Sequence, residues 1–271
     1  MGKFEIKKKI DDGIYRLYNL LTEFQFSLNK KAKKILENNK EYLNAHKNDR
    51  CFVLGTGPSL GNLTENQIQQ LKNESTFALN SLYKSKIGKA ISPSYYALVD
   101  NNYWEDVAHK KYLLDIVEQY SEKPPIFITD IRAFNIFNGI KNIKKTIYLY
   151  AKKYPVESID VELHKNTYGL MNVVSVCIAS AIYMGFKEIY LLGCDYNAFC
   201  NFGRGHCYDD KDELKEVSYN LAFYLKYYHI TTEFHYLIAK YAKENGIRII
   251  NLTDVSLLDA YPRAPVGSVL N

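Results

Sequence analysis

The groups able to do chemistry in this 271-residue chain are a glycine loop, an aspartate at a strand end and a histidine in a glycine-bearing loop. Gly55-Thr56-Gly57-Pro58-Ser59-Leu60 follows the apolar run 51–54, so a strand breaks into a loop where open α/β sheets bind nucleotides. Two glycines allow close backbone approach, Pro58 stiffens the exit, and Ser59 suits a helix cap or a donor to phosphate. The spacing fits neither the dinucleotide fingerprint nor a Walker loop, and a tight strand-to-helix turn accounts for the same residues. Gly193-Cys194-Asp195-Tyr196 ends a second apolar run and opens a loop of mixed character that carries His206 and Tyr208. If that loop folds over a cleft, His206 can act as a general base near neutral pH; a surface or hydrogen-bonding role is the plainer alternative. His229 and His235 read as packing or surface residues. Cys194, Cys200, Cys207 and His206 lack the paired Cys-x-x-Cys geometry of zinc sites, so no metal is expected.

Short strand-like runs at 51–54, 76–79, 95–99, 126–129, 147–150, 188–192 and 248–252 alternate with helical stretches. This alternation predicts a doubly wound, mostly parallel α/β sheet of Rossmann-like type, one domain over 51–271 behind a helical arm at 1–50. Most runs end in Gly, Asn, Asp or Ser, which gathers Gly55, Asn80, Asp100, Asn101 and the 193–196 group at the carboxyl edge where such folds bind ligands. Residues 169–186 are nearly all small or apolar and suit a buried helix; Asn172, Ser175 and Ser180 make the stretch too polar for a membrane span. Tyrosine is abundant, 24 against 13 Phe and one Trp, and its hydroxyls need partners in clefts or interfaces, although an AT-rich coding bias gives the same composition. Five irregularly spaced cysteines with no secretory leader before them give the expectation of a reduced, cytoplasmic chain.

Residues 1–50 hold twelve Lys/Arg against seven Asp/Glu, a surplus equal to the net charge of +5 for the whole chain. The remainder is neutral on balance and lacks the basic stripe of a nucleic-acid-binding core. Ile10, Ile14, Leu17, Leu21, Phe24 and Leu28 recur at steps of four and three, on one seam of a helix that needs a partner. Packing on the body or on another subunit is the plainer expectation. The alternative is peripheral contact with an anionic membrane through Lys7, Lys8, Lys9, Lys30, Lys31, Lys33 and Lys34.

The glycine loop resembles the Gly-Asn-Gly-Pro-Ser-Leu loop of bacterial sialyltransferases that use CMP-N-acetylneuraminic acid, with Thr56 in place of the asparagine. Gly185-Phe186-Lys187-Glu188-Ile189-Tyr190-Leu191-Leu192-Gly193-Cys194-Asp195 is similar to that family's Gly-Tyr-Lys-Glu-Ile-Tyr-Leu-x-Gly-x-Asp block, and Ser256-Leu257-Leu258 matches near the end. The same features resemble the broader group around 6-hydroxymethylpterin diphosphokinase and the motility-associated factors. The matches run over roughly 50–260 and leave the basic arm outside.

The resemblance implies an inverting, metal-independent glycosyltransferase that uses no cofactor beyond its nucleotide-sugar donor. That donor is CMP carrying sialic acid or a related nonulosonate, and the acceptor is a bacterial surface glycan such as lipopolysaccharide or capsule. Gly55, Thr56, Gly57, Pro58 and Ser59 would line the CMP moiety, with Asn80 and Asp100 or Asn101 on ribose and cytosine. Asn166, Thr167, Asn172 and Ser175 are the candidates to stand where that family has an arginine and serine pattern, with Asn172 and Ser175 assigned to the pocket. Gly193, Asp195 and Tyr196 would complete the pocket. His206 would be the base, and Tyr208, with Tyr196, would donate to the departing phosphate. Two other functions stay open. One is a pterin diphosphokinase-like enzyme using ATP and magnesium on Asp100, Asp106 and Asp195; the other is a non-catalytic nucleotide-binding assembly protein.

Overall fold

Strict alternation along the central strands gives the sheet two apolar faces. Cys51 and Val53 of β1 (Arg50–Leu54) join one core, while Phe52 and Leu54 join the other. The computed structural model describes residues 2–200, 205–211 and 219–271. All seven strands read from the sequence form: β1, β2 (Ser75–Leu79), β3 (Tyr95–Leu98), β4 (Ile126–Asp130), β5 (Thr146–Lys153), β7 (Glu188–Leu192) and β8 (Arg248–Asn251). An eighth, β6 (Asn166–Tyr168), extends the edge; three residues, two of them polar, leave no apolar run to read. The strands are all parallel in the order β6-β5-β4-β3-β2-β1-β7-β8.

The chain builds outward from β1 to β6, then crosses back to lay β7 on the free side of β1, pairing Arg50–Leu54 with Glu188–Leu192. The strand order therefore reverses between β1 and β7, and crevices in open α/β sheets form at such a point. The expected α/β, doubly wound fold is the observed one. Among the described residues the helices of the body are α3 (Glu65–Leu71), α4 (Lys86–Ala90), α5 (Asn102–Glu105), α6 (Val107–Gln119), α7 (Phe134–Asn138), α8 (Val173–Tyr183) and α9 (Leu221–Glu244). The crossover helix α8 is the buried helix foreseen at 169–186, and with Phe234, Ile238 and Ala242 of α9 it covers one face of the sheet.

The arm folds as α1 (Lys3–Leu28) and α2 (Lys30–Glu37), separated by Asn29, whose side chain caps α2 through the Ala32 N–H at 2.9 Å. α1 runs antiparallel to β5. Tyr15 stacks on Tyr154 at 3.6 Å, Asn19 exchanges two hydrogen bonds with the Tyr154 backbone (2.8 and 2.7 Å), and Phe26 meets Tyr150. The arm thus packs on the body, but through Tyr15, Asn19, Thr22 and Phe26. The seam from Ile10 to Leu28 makes no such contact and each of its residues is more than half exposed. No helix among the described residues is long and apolar enough to cross a membrane.

Candidate functional site

Two adjoining hollows open at the carboxyl edge of the sheet and share Asn80, Asn172, Val173 and Tyr227 in their walls. The first, about 250 Å³, sits at the β1/β7 reversal and the second, about 420 Å³, lies over the ends of β3, β4, β5 and β6.

The glycine loop forms one wall of the first lobe. Its glycines are required by the neighbouring loop: the Gly55 and Gly57 N–H groups donate to Leu192 and Gly193 carbonyls at 2.7 and 2.8 Å, continuing the ladder past the strand ends. A Cβ on Gly55 would run into the Gly193 carbonyl, and one on Gly57 into the Asp195 carboxylate. Asp195 is buried and accepts from the Ser59 hydroxyl at 2.7 Å and the Ser59 N–H at 3.2 Å. Asp195 and Ser59 therefore pin the two loops together. Asp195 also borders the lobe, whereas Ser59 does not.

Backbone strain concentrates around the cleft. Asn80, Met171 and Tyr196 are non-glycine residues at φ of 46°, 52° and 57°, and all three line it. The Asn80 carbonyl is fixed by the Tyr96 hydroxyl at 2.8 Å, while its side-chain Oδ1 is buried without a hydrogen-bond partner among the described residues. Asn172 caps α8, accepting from the Val174 and Ser175 N–H groups at 2.9 and 3.3 Å, so an 11-residue helix starts at the wall shared by both lobes. Ser175 is fully buried and lies outside the wall, its hydroxyl bonded to His235 Nε2 at 3.1 Å.

His235, read from the sequence as an ordinary packing or surface residue, reaches the floor of the first lobe. Its Nδ1 meets the Tyr261 hydroxyl at 2.9 Å, and burial pushes its pKa down to about 3, so the ring is neutral. The signal for it was the spacing of the buried α9 face, Thr231, Phe234, His235, Ile238 and Ala242. Tyr196 hydrogen-bonds Thr231 on that helix, and burial pushes the Tyr227 and Tyr228 phenols up to about 12, so both keep their protons at neutral pH.

His206 borders the same lobe. Its Nδ1 lies 2.8 Å from Asp210 Oδ2, with Asp210 only 5% exposed. The Cys207 N–H donates to the Thr56 carbonyl at 2.9 Å and ties this segment to the glycine loop. Tyr208 is buried behind the histidine, ring against ring at 5.0 Å, and stands outside the cleft wall. Asp210 escaped sequence reasoning because its role depends on how the loop folds; an aspartate four residues after a histidine was its only mark. Arg204 and its neighbours 201–203 lie outside the described residues.

Asp100 and Asn101 line the second lobe with Asp130 and Arg132, which pair at 2.9 Å. Asp106 lines neither lobe. Among the described residues no three His, Cys, Asp or Glu side chains stand close enough to hold a metal ion.

The fold is an open, parallel α/β sheet with a crevice at the point where its strand order reverses. Residues 19–200 match the family described as 6-hydroxymethylpterin diphosphokinase MptE-like, well over half of the chain, and the chain belongs to that family. The match begins inside α1. No curated protein matches the sequence. Among solved structures the chain is similar to the MAf glycosyltransferase from Magnetospirillum magneticum AMB-1, at 13% identity and a TM-score of 0.52. That likeness covers 88% of this chain but 39% of the other, so this chain spans about two fifths of that protein. It is also similar to the sialyltransferase CstII from Campylobacter jejuni in complex with cytidine-5'-monophosphate (18% identity, 81% of this chain and 86% of that one, TM-score 0.49). A CST-II structure with a trisaccharide acceptor and CMP gives 19% identity, 80% and 86% coverage and a TM-score of 0.48.

Proposed function

We propose that the chain is a cytoplasmic, inverting, metal-independent glycosyltransferase that moves an acidic sugar, sialic acid or a related nonulosonate, from CMP to a surface-glycan acceptor. The observation that carries this reading is His206, held by Asp210, bordering the same lobe as the glycine loop and the start of α8. On this reading residues 55–58 border the CMP moiety, and the Asn80 Oδ1 accepts from a ribose or sugar hydroxyl. His206 donates its Nδ1–H to Asp210, which leaves Nε2 to take the acceptor hydroxyl's proton as that oxygen attacks the anomeric carbon. The bond from that carbon to the phosphate oxygen breaks on the opposite face, its electron pair leaves with CMP, and the proton stays on an imidazolium steadied by Asp210. The departing phosphate is met by the positive end of the α8 dipole, whose Val174 and Ser175 N–H groups Asn172 already caps, and by Tyr228, whose oxygen accepts from the Ala198 N–H at 3.2 Å and whose own proton is free to donate. Tyr228 takes the role expected of Tyr208.

A second reading has its own observation. The family's description names a diphosphokinase, and the Asp100 and Asp130 carboxylates of the second lobe suit magnesium on a nucleoside triphosphate.

Thermal-shift measurements with CMP, CDP, UDP, GDP and ATP, each with and without magnesium, separate the two. A ligand at about 100 times its Kd adds roughly 2.7 kcal/mol to stability. Stabilisation by CMP alone, independent of magnesium, supports the transferase; a magnesium-dependent shift with ATP only overturns it. With a CMP-sugar as donor, His206→Ala is expected to lower kcat about 10²–10⁴-fold and Asp210→Asn to lower it without weakening CMP binding.

A further inference from the structure

The sequence left the partner of the α1 seam open between the body of the protein, a second copy and a membrane. The structure turns the seam outward: Ile10, Ile14, Leu17, Leu21, Phe24 and Leu28 are each between 55% and 67% exposed, on the side opposite Tyr15, Asn19, Thr22 and Phe26. This stripe is roughly 27 Å long at 1.5 Å per residue and has no covering element among the described residues. It leads directly into Lys30, Lys31, Lys33 and Lys34, all exposed on α2. At its other end stand Lys7, Lys8 and Lys9, with Lys7 holding Asp11 and Lys8 reaching Glu233 at 3.3 Å.

Charge decides between the partners. The α2 end of the stripe is strongly basic, whereas at the other end Lys3, Lys7, Lys8 and Lys9 stand among Glu5, Asp11 and Asp12, with Lys7 and Lys8 already paired. A parallel pair of α1 helices lays the 30–34 lysines on their own image, and an antiparallel pair lays them beside an end of mixed charge that still carries more lysines than carboxylates. Neither dimer therefore gives the α2 lysines a matching set of opposite charges while burying the seam. An anionic lipid surface takes the apolar stripe into its acyl boundary and neutralises the α2 lysines at once. We propose that α1 and the lysine-rich start of α2 form a dock for an anionic bilayer surface, with α1 lying in its plane. α1 runs antiparallel to β5, and Asn19 and Arg16 already contact Tyr154 and Glu157 beyond that strand's end. The first half of the stripe therefore passes the edge of the sheet on which the cleft opens. The inference stands apart from the transferase reading, because binding to vesicles needs no catalytic activity.

The test is co-sedimentation of the full chain with equimolar phosphatidylglycerol–phosphatidylcholine vesicles and with pure phosphatidylcholine vesicles, at low and high salt. Binding to the anionic vesicles, weakened by salt and by omission of phosphatidylglycerol, is expected. Leu17→Asp/Leu21→Asp should lower partitioning at least about tenfold. Changing Lys30, Lys31, Lys33 and Lys34 together to Gln should remove the preference for anionic over neutral vesicles, also by about tenfold or more. The lysine variant alters only exposed side chains, so it tests the dock even where the aspartates disturb the fold. Equal sedimentation of wild type and both variants overturns the proposal. So does a salt-insensitive dimer in sedimentation equilibrium, abolished by the aspartates, in a chain that ignores vesicles; that result assigns the stripe to a second copy.

Discussion

Asn80 unites two costs that a chain seldom carries without return: a left-handed backbone at φ 46° and a buried side-chain oxygen with no partner among the described residues. Both are relieved by glycine, which adopts this conformation freely and has no amide to leave unsatisfied. Asn80→Gly is therefore expected to hold or raise stability by up to ~1 kcal/mol while lowering nucleotide affinity about tenfold. Calorimetry and a binding titration on the same sample check both halves; unchanged affinity would remove Asn80 from the ligand site. Asn80 was legible because it follows an apolar run directly. Asp210 was not, since its four-residue spacing from His206 gains meaning only in the folded loop, which brings its carboxylate to that ring.

At the level of elements, α9 is held to α8 through the buried chain Ser175–His235–Tyr261. Burial lowers the His235 pKa from about 6.5 to about 3, so between those values the unfolded chain binds a proton that the folded chain refuses. Its contribution is complete above about pH 6.5 and is lost as pH falls, at a slope approaching ~1.4 kcal/mol per pH unit. Urea unfolding of wild type and His235→Gln from pH 7.5 downward should show the stability gap shrinking with acid. A pH-independent gap would mean that the ring titrates normally. The arm repeats the lesson from the opposite side. Its 4-3 apolar spacing was plain in the sequence, yet the face that packs carries Tyr15, Asn19 and Thr22, whose hydrogen bonds and ring stacking leave no apolar period to detect.

For the molecule as a whole, the pairing of β1 with β7 joins residues more than a hundred positions apart, with both strands flanked by neighbours on either side. Amides of Phe52, Val53, Ile189 and Leu191 are expected to exchange with solvent only on global unfolding, while those of the three-residue edge strand β6 and the first turns of α1 exchange through local opening. Native-state hydrogen exchange checks this; early exchange at β1 would contradict the sheet order. The parallel sheet was legible because buried strands are apolar runs closed by turn residues, whereas β6 was hidden by the polarity of Asn166 and Thr167. The distance between α1 and its docking site has a consequence for synthesis. Asn19 waits for Tyr154, 135 residues later, which at about 5–20 residues per second is roughly 7–27 s of translation. Throughout that interval the nascent helix lacks its partner on the body, so both of its faces are open until that part of the chain has been made.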